Sequence, residues 1–162
     1  MNLATLNAAV TIHTTDWARA LALDVDRAAK SIHLSTLSML RPSPRQRGPW
    51  PDLWTALLAA AQRQVEVNIY LAAPQPAHPA TAQNRHTAIV AHNAKLRCNL
   101  IPGPSLLHAK CCVIDCRLVW TGSGNFTAAA CGHNKEIYAR IESAPVALQT
   151  LESLFYLLPI PD

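Results

Sequence analysis

The sequence predicts a mixed α/β sandwich: one β-sheet flanked by helices on both faces, in a single domain. Three observations carry this. Segments of period two and of period 3.6 alternate along most of the 162 residues. Strand-like segments then crowd together after Leu96. Half of the residues are apolar, and the length suits one domain with a sizeable core. A succession of this kind is satisfied when helices pack their apolar stripes on a common sheet.

Ala8 to His13 (A-A-V-T-I-H) is rich in β-branched residues and is expected as the first strand. Asp16 is placed to cap a helix over Trp17 to Lys30, where Trp17, Leu21, Val25 and Ala28 recur at helical spacing. Ser31 to Met39 alternates polar and apolar residues as a second strand. His13 and His33 fall inside these strands and are expected as hydrogen-bonded structural histidines. Arg41 to Pro51 (R-P-S-P-R-Q-R-G-P-W-P) breaks both periods with four prolines and a glycine, and is expected as a loop. Asp52 is the expected cap of a helix reaching about Gln64, with Leu53, Ala56, Leu57 and Ala60 buried. Val65 to Ala72 is a third strand, Ala73 to Ala82 a connecting loop that includes His78, and Gln83 to Ala94 a helix. His86 and His92 are six apart on that helix and do not share a face as metal ligands would. Leu96 to Ile101 is a further strand. Pro102, Gly103 and Pro104 turn the chain into a hairpin of Lys110 to Ile114 and Leu118 to Thr121. Phe126 to Cys131 is short and helical or irregular. Lys135 to Glu142 is the last strand, and Pro145 to Leu158 an amphipathic closing helix.

The net charge of +4 and a pI of about 9.0 favour an anionic partner without identifying one. There is no apolar run approaching the roughly 18 residues of a membrane span. Met1 to Val10 lacks a basic n-region and a long apolar h-region, so no secretory signal is visible. The five cysteines are Cys98, Cys111, Cys112, Cys116 and Cys131; an odd count without a signal predicts reduced thiols in the cytoplasm. A periplasmic or secreted location would require a signal peptide already removed. A zinc site from Cys111, Cys112, Cys116, Cys131 and His133 lacks paired C-x-x-C ligands, and the adjacent Cys111 and Cys112 point to opposite faces of a strand. Buried thiols are the expectation, with no metal.

Chemistry concentrates between His108 and Glu136, which contains H-A-K-C-C-V-I-D, then G-S-G-N, then N-K-E. His108 and Lys110 are two apart in an extended run, so both side chains leave one face. The hairpin brings Gly122, Ser123, Gly124 and Asn125 back towards them. An imidazole, an ammonium, a hydroxyl and a carboxamide together suit a phosphate group: Lys110 supplies charge, Ser123 and Asn125 neutral donors, and His108 can attack or move protons. A Ser-His hydrolase is a weaker rival, because Gly122-Ser123-Gly124 is not a G-x-S-x-G elbow.

The spacing H-x-K-x4-D, followed by G-S-x-N and by Glu136, resembles the HKD signature of the phospholipase D superfamily. One copy in a short chain, with this strand–helix order, resembles its small bacterial endonucleases over residues 8 to 158. That resemblance implies two signatures facing each other across one site, hence a homodimer when each chain holds one. It implies that His108 attacks phosphorus to form a phosphohistidine, and that the partner subunit's His108 protonates the leaving oxygen and then activates water. Lys110 and Asn125 would hold the non-bridging oxygens, Lys110 taking the electrostatic role a metal plays elsewhere, so that neither metal nor cofactor is called for. Ser123 would fix phosphate or orient its neighbours, and Glu136 would hydrogen-bond the histidine and set its tautomer. Asp115 is expected to hold the turn, with Gly122 and Gly124 allowing close backbone approach. Lys135 is expected as a solvated charge.

The superfamily includes nucleases, phospholipases, transphosphatidylases and phospholipid synthases, so the motif does not choose the substrate. The short single-copy chain, the basic balance, and Arg41, Arg45, Arg47 and Trp50 in the proline-rich loop favour nucleic acid: DNA first, with RNA as an open alternative. A phospholipase D-type lipid hydrolase is the second hypothesis. An inactive module that binds phosphodiesters without cleaving them is the third. The chain departs from the family at Cys111-Cys112, where bulkier apolar residues are usual, and in its longer Arg41 to Pro51 connection, which would narrow access and favour single strands.

Overall fold

The period-two segments pair into one sheet, seen in a computed structural model that describes residues 8–103 and 105–158. Pro104, expected in the turn before the hairpin, lies outside the described residues. The strands are β1 (Ala9–His13), β2 (Ser31–Thr36), β3 (Glu66–Ala72), β4 (Arg97–Ile101), β5 (Cys111–Ile114), β6 (Leu118–Gly122) and β7 (Tyr138–Glu142). Their order across the sheet is β1-β7-β6-β5-β2-β3-β4. Among the described residues the helices are α1 (Trp17–Asp26), α2 (Pro49–Gln62), α3 (Pro79–Asn93), α4 (Ala128–Gly132) and α5 (Ala144–Tyr156).

The sheet has two halves. β2, β3 and β4 run parallel, joined by α2 and α3 as the crossovers that parallel pairing requires. β5, β6, β7 and β1 pair antiparallel. β5 lies antiparallel against β2 and joins the halves.

Strand alternation sends Ile32, Leu34, Ile69, Cys112 and Trp120 to one face, where Trp17, Leu21, Trp50 and Leu57 of α1 and α2 cover them with parts of α3 and α4. Val113 and Val119 point to the other face and meet Ala147 and Leu151 of α5. Helices therefore cover both faces, as the sequence predicts. Cys111 and Cys112 divide between the two cores, as adjacent strand residues must.

Two helices begin earlier than expected, for one reason. α2 starts at Pro49 rather than after Asp52, and α3 starts at Pro79 rather than Gln83. Proline is excluded from a helix interior, but in the first turn its missing N–H was an orphan anyway and its fixed φ is already helical. Gly48, at φ 114°, makes the sharp entry to α2, and the His78 side chain accepts from Ala80 N at 3.2 Å to cap α3. α1 is shorter than expected, ending at Asp26: Arg27 and Ala28 close it with tight-turn bonds to Asp24 O and Val25 O, and the donors after them are taken elsewhere. Ala29, Lys30 and Ser31 all give their N–H groups to the Asp115 carboxylate, at 2.7 to 3.3 Å.

Candidate active site

Strand direction gathers the site. The C-terminal end of β2, the N-terminal end of β5, the C-terminal end of β6 and the N-terminal end of β7 all lie at one edge of the sheet, since Ser35 pairs with Cys111, Cys111 with Thr121, and Gly122 with Tyr138. His108 and Lys110 precede β5 there, Ser123 and Asn125 follow β6, and Glu136 precedes β7. The place is also where the sheet changes from parallel to antiparallel, at the carboxyl end of a parallel strand, a common position for α/β sites.

Lys110 is almost buried, at 9% exposure. Its Nζ donates to the His108 carbonyl at 2.9 Å and lies 3.1 Å from Nδ1 and 3.2 Å from Nε2 of the exposed His108 ring. Burial lowers the Lys110 pKa from its ordinary value, and the Glu136 carboxylate partly opposes this. The Glu136 carboxylate accepts from the Ser123 hydroxyl and, at 3.1 Å, from Asn134 Nδ2. Ser123 Oγ also accepts from Ile137 N at 3.2 Å, so within one chain this hydroxyl orders its neighbours. Asn125 Oδ1 sits 3.1 Å from the hydroxyl of Thr36.

The resemblance implies a hydrogen bond between Glu136 and a histidine of the shared site; within one chain Glu136 is not hydrogen-bonded to His108. Glu136 precedes β7 and His108 precedes β5, with β6 between, so their backbones are about two strand spacings, roughly 10 Å, apart. Ser123 and Asn134 engage the carboxylate instead. Sequence reasoning missed Asn134 and Thr36; a polar residue two before Glu136 was the only local signal for the first, and nothing local pointed to the second.

The floor of the site is built from aromatic rings. Trp17 stacks on Tyr138 with centroids 4.0 Å apart, and its Nε1 donates to Ala130 O at 3.2 Å. Tyr138, fully buried with its phenol pKa raised by burial, donates to the carbonyl of Gly124 and so fixes the loop that carries Asn125. A Cβ on Gly122 would lie 2.6 Å from Tyr138 Cγ, and one on Gly124 3.0 Å from Glu136 Cδ. Both glycines are small because partners lie against them.

Asp115 is at the far end of β5 from His108 and touches no site residue. His13 packs at a tilt against Trp120, with ring centroids 4.8 Å apart, and pairs with Asp16 at 3.2 Å, while His33 lies 3.3 Å from Tyr70 Oη. Both have structural surroundings. In the proline-rich segment Arg45 and Arg47 are exposed and Arg41 is half-buried. Trp50 corrects the sequence expectation. It is 1% exposed in α2, packs on Trp54, and donates through Nε1 to Leu40 O at 2.7 Å. Its ring is core and offers no face for a base to stack on. A cleft of about 310 Å³ beside the site is lined by His108 together with Ile101, Leu106, Leu107, Leu157 and Leu158. Among the described residues no helix is long and apolar enough to cross a membrane.

No curated protein matches the chain in sequence. The family model described as "Cardiolipin synthase, PLD-like domain" matches residues 22–156. Among solved structures, the chain is similar to Nuc, a phospholipase D family member from Salmonella typhimurium, with 27% identity, a TM-score of 0.70 and 91% of each chain covered. It shares its fold with NucT from Helicobacter pylori, at 15% identity, a TM-score of 0.66, and coverage of 91% of this chain and 93% of that one. It also shares it with phosphatidylserine synthase from Haemophilus influenzae Rd KW20, at 12% identity and a TM-score of 0.72, over 96% of this chain and 40% of that one. The matched span holds every side chain gathered at the sheet edge, and the chain belongs to the phospholipase D superfamily.

Proposed function

We propose that the protein is a metal-independent phosphodiesterase, an endonuclease hydrolysing DNA, with RNA as a further polymer, at a site completed by a second copy of the chain. The observation that carries this is the contact between Lys110 and His108. A positively charged donor is fixed beside a nucleophilic imidazole, with the Asn125 amide and Ser123 hydroxyl at the same sheet edge. An imidazole nitrogen of His108 attacks phosphorus, and the bond to the leaving oxygen breaks. The leaving oxygen needs a proton at that moment, and the attacking imidazole cannot supply it. The partner subunit's His108 supplies it, then removes a proton from water as water displaces the histidine and the P–N bond breaks. Lys110 carries fixed positive charge to the phosphoryl oxygens as negative charge builds on them.

Arg45 and Arg47 extend positive charge outward along the polymer backbone. The likeness to Nuc and the net charge of +4 support the choice of nucleic acid. The apolar cleft against His108 favours a second reading, a phospholipase D-type hydrolase with an acyl chain or glyceryl group in that cleft. One experiment separates them: single-stranded DNA, double-stranded DNA and phosphatidylcholine vesicles, each with excess EDTA, for the wild type and His108→Ala. EDTA-resistant cleavage of DNA that vanishes in the variant supports the nuclease, and headgroup release alone supports the lipid enzyme. If neither substrate is cleaved, a binding module remains. Sedimentation at the assay concentration tests the shared site, since an active monomer overturns it.

A further inference from the structure

We propose that Thr36 is a positioning residue for the phosphate site: its buried hydroxyl decides which end of the Asn125 carboxamide faces the phosphate. The inference rests on the phosphodiesterase reading for its kinetic consequence, but not for the hydrogen bond itself. β2 contributes nothing to the sequence motif, yet its last two residues touch both halves of the site. Ser35 Oγ donates to the carbonyl of Ala109 at 3.2 Å, pinning the backbone between His108 and Lys110. Thr36 Oγ1 lies 3.1 Å from Asn125 Oδ1 and 3.2 Å from the carbonyl of Ser38. Both Ser35 and Thr36 are fully buried.

A hydroxyl has one hydrogen to give. Given to Asn125 Oδ1, it leaves Nδ2 and its two N–H donors free to face the site, where phosphate oxygens can accept them. Given to Ser38 O, it offers Asn125 only a lone pair. The amide then turns over, Nδ2 donates to Thr36, and Oδ1 faces the phosphate, acceptor against acceptor. The two arrangements have the same shape, so packing cannot choose between them. The direction of one hydrogen bond can. The β-branch of threonine restricts χ1, which keeps the oxygen aimed at Asn125, and burial of Thr36 excludes a water that could satisfy its hydroxyl instead. The structure places Oδ1 rather than Nδ2 against Thr36, which is the arrangement the productive amide requires.

The experiment combines a double-mutant cycle with the side-chain amide resonance of Asn125. Thr36→Val keeps shape and removes the hydroxyl. Its kcat on a phosphodiester probe, bis(p-nitrophenyl) phosphate, should fall about tenfold, and Thr36→Ser should restore most of it. In an Asn125→Ala background Thr36→Val should cost nothing further, because the effect passes through the missing amide. In nitrogen-15 spectra the Asn125 side-chain pair, assigned by its loss in Asn125→Ala, should shift or broaden in the valine variant and return in the serine one. Costs that multiply in the cycle, or an Asn125 signal unmoved by Thr36→Val, overturn the proposal. If the wild type cleaves no phosphodiester, it is the functional reading that fails, and the amide resonance alone decides about Thr36. Should the valine variant not fold, Thr36→Ala carries the same expectations.

Discussion

The two ends of β5 hold members of one short motif and use them in opposite ways. At the N-terminal end, His108 and Lys110 lie against each other beside half-exposed polar partners, with an exposed ring and an ammonium drawn partly out of water. At the other end, roughly 16 Å along an extended chain, Asp115 spends its carboxylate on backbone. It accepts from Ala29, Lys30 and Ser31, and its own N–H donates to Ser31 O at 2.8 Å. Asp115 and Cys116 have φ of 53° and 52°, the left-handed pair that a tight hairpin turn requires and that non-glycine residues rarely adopt. The carboxylate's bonds offset that strain. The same spacing thus contains both the proposed reaction centre and the clasp that holds the hairpin to β2. On the proposed function, losing either would lower activity in a crude assay, for unrelated reasons.

Separating activity per folded molecule from stability sharpens the contrast. The largest effect is expected for His108→Ala: turnover of DNA should fall by about a thousandfold or more, with an unchanged melting temperature. Gly122→Ala should break the contrast, since it stands at the site end but packs like the other. Its new Cβ would run into the Ile137 carbonyl and the Tyr138 ring, which are backbone and core and cannot yield, so β6 and β7 must part. Calorimetry should show a loss above about 2 kcal/mol, together with lost activity. Asp115→Asn should cost about 2 kcal/mol of stability by urea unfolding while kcat per folded molecule stays within twofold.

That third variant also has a pH signature. Burial alone would raise the Asp115 pKa, but the N–H groups of Ala29, Ser31 and Lys30, with Arg117, bring it below the ordinary carboxylate value. A carboxyl lowered in the folded state stabilises the protein above its unfolded pKa and loses that contribution as pH falls through its folded one. The stability difference between wild type and Asp115→Asn should therefore be full near neutrality and shrink in acid, below about pH 4. The smallest effect belongs to the site end. Because burial lowers the Lys110 pKa and Glu136 partly holds it up, the alkaline limb of kcat/KM should lie below the usual lysine value and move lower still in Glu136→Gln. A limb that stays in place would remove Lys110 as the titrating group.

How much was legible in the sequence follows from distance along the chain. His108, Lys110, Ser123, Asn125 and Glu136 sit in one hairpin and the strand after it, where a period of two fixes faces and a tight turn fixes proximity. Their convergence could be read from spacing. Thr36 could not, because its contact with Asn125 spans 89 positions and depends on β5 docking beside β2, which no local pattern states. Trp50 departs from the sequence expectation for a different reason. The prolines around it read as structure breakers, whereas Pro49 begins a helix, and the helical spacing that continues through Leu53, Trp54 and Leu57 turns Trp50 inward. Charge at Arg45 and Arg47 was legible, since exposed guanidiniums need no topology.

The pairing of β1 with β7 has a consequence for how the chain is made. Ala9 lies opposite Glu142 and His13 opposite Tyr138, so the earliest of the described strands to leave the ribosome finds its hydrogen-bonding partner in the last. The parallel half can assemble while synthesis continues, because β2, β3 and β4 follow one another in both chain and sheet. β1 cannot join it. Until β7 emerges it is an unpaired, β-branched ribbon whose Val10 and Ile12 remain 57% exposed even in the finished fold. Such a ribbon can pair with the equivalent strand of a neighbouring nascent chain. Slow translation between α3 and β7 would prolong that interval, and the yield of folded protein would depend on how quickly the final strand is delivered.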